Sequence, residues 1–474
     1  MAKRTKIVAT LGPATDRPGV LERMLEAGAD VVRINFSHGS AEERECRVRQ
    51  VRDAAARVGR DVAVLGDLQG PKIRVERFAT GPVTLADGDG FALDASLPAD
   101  AGDQRAVGVS YKALPRDVRP GDVLLLNDGA ITLEVQRVVD ARVECVVKVG
   151  GVLSDGKGIN RLGGGLSAGA LTDKDREDIR HAAALGLDFL AVSFPRGAND
   201  MEEARRLLQV AGGKARLVAK IERAEGVERI EEIARASDVV MVARGDLGVE
   251  IGFAEVPGVQ KNIIRVARTL NRVVITATQM MESMVQEPIP TRAEVSDVAN
   301  AVIDGTDAVM LSGETAIGRH PVKAVEAMAS ACVAAEKQRA TSISHHRMDE
   351  TFERTDEAIA MATMYTANHL DVKAIVALTE SGSTALWMSR IRSGIPIFAF
   401  SRNEGTRRRV SLYRGVYPVP FDVLADPGHS FEAVSRTLIE RGIAVPGDRI
   451  LLTEGHSAGV AGGTNTMKIL HVEG

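Results

Sequence analysis

The sequence predicts an α/β protein built on a (β/α)8 TIM barrel, with an inserted β-barrel lid domain and a C-terminal α/β domain. Three observations predict it. Eight short, apolar, β-branched runs, at residues 6–11, 31–37, 62–67, 189–194, 216–222, 239–246, 272–278 and 308–312, end in charged or small polar residues, and most lead into a helical pattern. The rhythm breaks after the third run, giving way to Val and Leu runs separated by Asp-Gly and Pro-Gly turns, and resumes near Leu171. A second series of strand-like runs follows a polar connector.

A chain of 474 residues is too long for one core. The expected division is residues 1–70 for the first part of the barrel, 71–166 for the lid, 167–340 for the rest of the barrel and 355–474 for a regulatory α/β domain. In the first part, Asp16 is placed to cap a helix carrying Leu21, Met24 and Leu25, which Gly28 ends. In the lid, Asn127-Asp128-Gly129 between the runs 123–126 and 131–135 predicts a hairpin. Thr172-Asp173-Lys174-Asp175 starts a helix where the barrel resumes. The connector 341–354, with His345 and His346, is read as a solvated linker rather than a metal site. The last domain carries runs at 374–378, 397–400, 417–420, 450–453 and 468–472.

Lys and Arg total 60 against 64 for Asp and Glu, a net charge of −4 that argues against binding nucleic acid or an anionic membrane surface. Any anion site is therefore local. Cys46, Cys145 and Cys332 are odd in number and show no metal-ligand spacing, so neither a disulfide framework nor structural zinc is expected. A cytoplasmic setting fits this cysteine usage. The opening apolar run is too brief for a signal peptide, and no apolar stretch reaches the roughly 20 residues of a membrane span.

In such a barrel the active site lies at the carboxyl ends of the strands. Alternation puts Arg33, Asn35 and Ser37 on one face of the second strand, and Lys220 and Glu222 on one face of the fifth. Glu222 and Asp246, from neighbouring strand ends, can converge on a hard cation such as Mg2+. Lys220 beside them adds a second positive charge, which suits a bound phosphate or enolate. A short helix starting near Gly245 would turn backbone N–H groups toward the mouth and hold a carboxylate. Thr276, Thr278 and the segment from Ser312 to Thr315 offer hydroxyls that either orient substrate, pass protons or only cap turns. Gly70-Pro71 forms a hinge, and Arg74 beyond it is placed to bind phosphate as the lid shuts. These residues also suit an Mg2+-dependent 2-oxoacid aldolase or lyase acting through a pyruvate enolate. A non-catalytic regulator has no use for the full set.

The motifs Arg33-Ile-Asn-Phe-Ser-His38, Asp67 to Arg74, Val218-Ala-Lys-Ile-Glu222, Met241 to Glu250, Thr276-Ala-Thr-Gln-Met280 and Met310-Leu-Ser-Gly-Glu-Thr-Ala316 carry a resemblance. Over nearly its whole length the chain resembles pyruvate kinase. The resemblance implies Mg2+-dependent phosphoryl transfer from phosphoenolpyruvate to ADP, giving pyruvate and ATP. It implies one Mg2+ on Glu222 and Asp246 and another travelling with the nucleotide. Lys220, Thr278 and Arg33 would be catalytic, with Arg33, Lys220, Gly245, Asp246 and Thr278 binding substrate. Arg74, Asn35, His38 and Lys174 would hold nucleotide or phosphate.

Many members of that family need K+, held at positions matching Asn35, Ser37, Asp67 and Leu68. Here Lys72 stands where those members have Glu, as in the branch that works without K+, which implies that its ammonium replaces the cation. Ala168-Gly169-Ala170-Leu171 also departs from the common Leu-Pro-Ala, on the return from lid to barrel. The loop Thr379-Glu-Ser381-Gly382-Ser383-Thr384 resembles a phosphate loop of the branch activated by AMP or sugar monophosphates, with residues 455–466 closing over the ligand. A homotetramer is implied as well.

Overall fold

The computed structural model describes residues 3–342, 351–422, 430–455 and 462–473. His345, His346 and half of the 455–466 segment, residues 456–461, lie outside them. The first strands are β1 (Lys6–Thr10), β2 (Val31–Asn35) and β3 (Ala63–Asp67). A β-rich insertion follows, with β4 (Val83–Leu85), β5 (Gly90–Asp94), β6 (Ala106–Gly108), β7 (Val123–Leu126), β8 (Ile131–Val139), β9 (Arg142–Val149), β10 (Gly151–Leu153) and β11 (Ile159–Arg161). Strands β12 (Phe189–Val192), β13 (Arg216–Ile221), β14 (Val239–Ala243), β15 (Val273–Ala277) and β16 (Ala308–Leu311) return to the first group. Together with β1 to β3 they close a parallel barrel in the order β1-β16-β15-β14-β13-β12-β3-β2.

Barrel strands alternate between two apolar layers. Val31, Leu65, Ala191, Val218, Met241 and Ile275 fill the interior, while Val32, Val64, Leu190, Ala219, Val240 and Val274 pack against the surrounding helices. At the carboxyl ends the inward series turns polar. Thr10, Arg33, Asp67 and Lys220 continue the inward parity within their strands, and Ser193, Glu222 and Ser312 continue it just beyond.

The helix after β1 spans Val20–Glu26 and starts at Gly19, whose φ of 70° lets the chain turn in; Asp16 does not cap it. Its apolar face, with Leu21, Met24 and Leu25, is buried as the pattern requires. Thr172 caps the helix Asp173–Ala184 in a reciprocal box with Asp175.

In the insertion, strands pair in the order β11-β7-β8-β9-β5-β6, with β10 and β4 as a separate pair around one apolar core. Asn127 and Asp128 take φ of 53° and 55° between β7 and β8, the left-handed geometry of a tight hairpin. The last strands, β17 (Ala374–Leu378), β18 (Ile397–Ser401), β19 (Val416–Pro420), β20 (Arg449–Gly455) and β21 (Thr464–His471), form one sheet in the order β19-β18-β17-β20-β21.

That sheet and its helices dock at the amino ends of the barrel strands, opposite the polar rim. Lys6 Nζ donates to Val416 O at 2.5 Å, and Arg390 forms a buried pair with Asp307, which precedes β16. No described helix is long and apolar enough to cross a membrane.

Candidate active site

Lys220 sits inside the rim with its Nζ 2.9 Å from Glu222 Oε1, 3.2 Å from Asp67 Oδ1 and 2.7 Å from Ser193 Oγ. Burial disfavours its charge, but the Asp67 and Glu222 carboxylates outweigh that cost and hold its pKa above the ordinary lysine value. Ser193 in turn donates to the Leu68 carbonyl at 2.8 Å. Arg33 Nε donates to Asp67 Oδ2 at 2.6 Å and its Nη1 to Thr10 Oγ1 at 3.2 Å. Burial pushes Asp67 upward, yet Lys220 and Arg33 together keep its carboxyl below the usual range.

Glu222 is the strained partner. Burial raises it to about 7 in spite of Lys220, and Asp246 and Asp67 add to the rise. Its Oε2 accepts the Phe194 N–H at 3.0 Å, from a residue held at φ 57°. Asp246 lies in the first turn of the helix Arg244–Ile251 and is partly exposed. Carboxylate oxygens from neighbouring strand ends are what a hard divalent cation takes, so the donors Glu222 and Asp246 fit Mg2+. Among the described residues no group of three or more His, Cys, Asp or Glu is spaced to hold an ion by itself, so such an ion would take other oxygens from substrate and water.

Thr276 and Thr278 do not share a role. Thr276 faces the helix layer, fully buried, and its Oγ1 donates to Thr306 Oγ1 at 3.1 Å. Thr278 and Gln279 take φ of 66° and 54°, which breaks strand parity and turns Thr278 toward Gly245. The Gly245 N–H donates to Thr278 Oγ1 at 2.8 Å, so that amide is not free as the sequence suggests. Arg244, which sequence reading passed over, donates to the carbonyls of Thr278 and Gln279 and pairs with Asp297 at 2.8 Å.

Of the remaining residues, Asn35 Oδ1 accepts the Ser37 N–H at 3.0 Å and His38 is exposed at the loop tip. Lys174 Nζ donates to the Phe36 carbonyl at 2.8 Å and to Asp178. Arg74 belongs to the insertion, where its Nη1 donates to Gly156 O at 2.6 Å. Lys72 reaches the barrel instead, its Nζ 3.7 Å from Asp246 Oδ1. Gly70, at φ 68° with Ser193 Cβ 2.7 Å from where its own Cβ would lie, tolerates no side chain at this crossing. On the return path the Gly163 N–H donates to Glu250 O and Arg223 to the Leu166 and Ala168 carbonyls. The insertion is thereby seated against the rim.

Residues 2–325 match the family described as pyruvate kinase, barrel domain, and residues 357–470 match pyruvate kinase, alpha/beta domain. The chain belongs to the pyruvate kinase family. It is 57% identical over 475 residues to "Pyruvate kinase II" of Salmonella typhimurium, covering 99% of each chain. Identity to "Pyruvate kinase" of Haemophilus influenzae is 55% over 475 residues, again 99% of each. Identity to that of Geobacillus stearothermophilus is 42% over 473 residues, 99% of this chain and 80% of the relative. As a pyruvate kinase it is an Mg2+-dependent phosphotransferase that acts on phosphoenolpyruvate and ADP and yields pyruvate and ATP, and the aldolase or lyase reading falls.

Proposed function

We propose that the rim around Lys220 carries out this phosphoryl transfer. The observation that carries the reading is the Lys220 ammonium held between Asp67, Glu222 and Ser193. Such transfer needs positioning and charge neutralisation more than a covalent intermediate. Lys220 neutralises the transferring phosphoryl group and the enolate oxygen it leaves. Arg33, aimed inward by its Asp67 pair, holds phosphate. The amides of Gly245 and Asp246, with Thr278, bind the substrate carboxylate, which then replaces the present Gly245 to Thr278 hydrogen bond. Arg74, Asn35, His38 and Lys174 serve the nucleotide side, Lys174 sharing its ammonium with Asp178.

Glu222 and Asp246 would hold one Mg2+ and the nucleotide bring another; when bound, the ion supplies Lewis-acid stabilisation of phosphoryl charge. K+, which other members hold at positions matching Asn35, Ser37, Asp67 and Leu68, is not required, because Lys72 supplies an ammonium that lies 3.7 Å from Asp246 Oδ1. A phosphorylated activator, AMP or a sugar monophosphate, binds the loop of Thr379, Ser381, Gly382, Ser383 and Thr384. There the Gly382 N–H donates to Thr379 Oγ1 at 2.9 Å and Ser381 lies against Ser383, while Thr384 is turned inward onto Thr464. The enzyme is a cytoplasmic homotetramer.

Replacing Lys220 by Met tests the centre of this reading. Turnover at saturating substrates should fall about 10²–10³-fold or more with the circular-dichroism spectrum unchanged. Retained turnover would show that another group neutralises the phosphoryl charge.

A further inference from the structure

Beneath the barrel, at its junction with the last domain, five guanidinium groups crowd one cleft. Arg4, Arg268, Arg390, Arg392 and Arg414 line it together with Gly305 and Asp307, around a free space of about 20 Å³ that opens to solvent. Buried like charge on this scale is costly unless it is paired. Asp307 is already spent: both of its oxygens are taken by Arg390, with the Val274 and Arg414 N–H groups donating as well. Glu336 attends to Arg4, and the Asp304 carboxylate pairs with Lys261.

Among the described residues, three arginines have no carboxylate within ion-pair distance. Arg268 makes one long hydrogen bond, 3.3 Å to Arg390 O, and Arg392 donates only to carbonyls while its Nε has no partner. Arg414 donates to Val302 O at 3.2 Å, and its Nη2 is buried with no partner at all. Arg268 and Arg392 converge over Gly305, where an added Cβ would lie 2.6 Å and 2.9 Å from their nitrogens. The strain registers in the guanidiniums: burial, with repulsion from neighbouring arginines, lowers Arg268 to about 10, and burial lowers Arg414 to about 10.

We propose that this cleft is an anion site that takes a small oxyanion of the phosphate class, held by Arg268, Arg392 and Arg414 across the junction of the barrel and the last domain. Planar guanidinium forks match tetrahedral oxyanions, and an anion at this point completes hydrogen bonds that the protein leaves open. The site is separate from the rim, which lies at the other end of the strands, and from the loop at Thr379–Thr384. Because its arginines come from both sides of the junction, the bound anion holds the two bodies together.

The test uses the full chain with inorganic phosphate as the probe, at constant ionic strength, and with tungstate soaked into crystals as an electron-dense mimic. Expected are tungstate density between Arg268 and Arg414, slower amide exchange at 303–307 and 390–395 in phosphate, and a thermal midpoint raised by about 2 °C. In Arg268→Gln, which gives up only one long hydrogen bond, those responses should shrink at least fivefold. Density or protection confined to the barrel mouth or to 379–384 would overturn the proposal. So would an Arg268→Gln protein whose thermal midpoint rises with phosphate as much as that of the unsubstituted protein, since the cluster would then be mere unrelieved repulsion.

Discussion

Lys220 keeps its charge because two carboxylates surround an ammonium that burial alone would neutralise, and the same burial lifts Glu222 to about 7. That asymmetry comes from position, since Asp67 has both Lys220 and Arg33 against it while Glu222 also faces Asp246. Strand alternation was enough to find Arg33, Lys220 and Glu222, because all three continue the inward parity of their strands. Ser193 follows the same parity from Phe189 and Ala191 and could have been found by it; a single serine simply carries little chemical signal. Thr278 could not, because its left-handed backbone reverses the face that parity assigns. Lys72 yields the sharpest test at this scale. The enzyme should run in potassium-free buffer, and added K+ at constant ionic strength should change the saturated rate less than tenfold. Lys72→Glu should make activity depend on K+, measured by the same assay.

At the scale of elements, local signals worked where the chain stabilises itself locally. The Thr172 capping box satisfies two helix-end donors, and the Asn127-Asp128 turn adopts the backbone those residues favour; the structure adds a second such box at Thr291, which sequence reading passed over. Asp16 failed as a cap because the chain spends three more residues turning before the helix begins after Gly19. The box at Thr291 also has a distant effect, since Glu294 accepts from Ser283 N and Oγ and so ties down the turn Glu282–Val285 after β15. Thr291→Ala should lower stability by about 1 kcal/mol in urea unfolding.

For the whole molecule, the decisive contacts join segments remote in sequence. Asp307 and Arg390 lock the barrel floor to the last domain with almost no exposure, 2% and 1% of their side chains. Asp307→Ala should cost about 3–5 kcal/mol, read as a lowered urea midpoint, because it leaves Arg390 buried and unpaired. Removing Glu232 from its exposed pair with Arg229 should cost less than about 1 kcal/mol. By itself the sequence determined the barrel, the break after its third strand and the residues that strands aim inward, because hydrophobic period and turn chemistry are local and repeat along the chain. Only the tertiary structure decided that Lys72 reaches Asp246, that Arg244 braces Thr278 and that five arginines meet below the barrel. Those placements depend on chain closure and on backbone turns against parity, which no local pattern encodes.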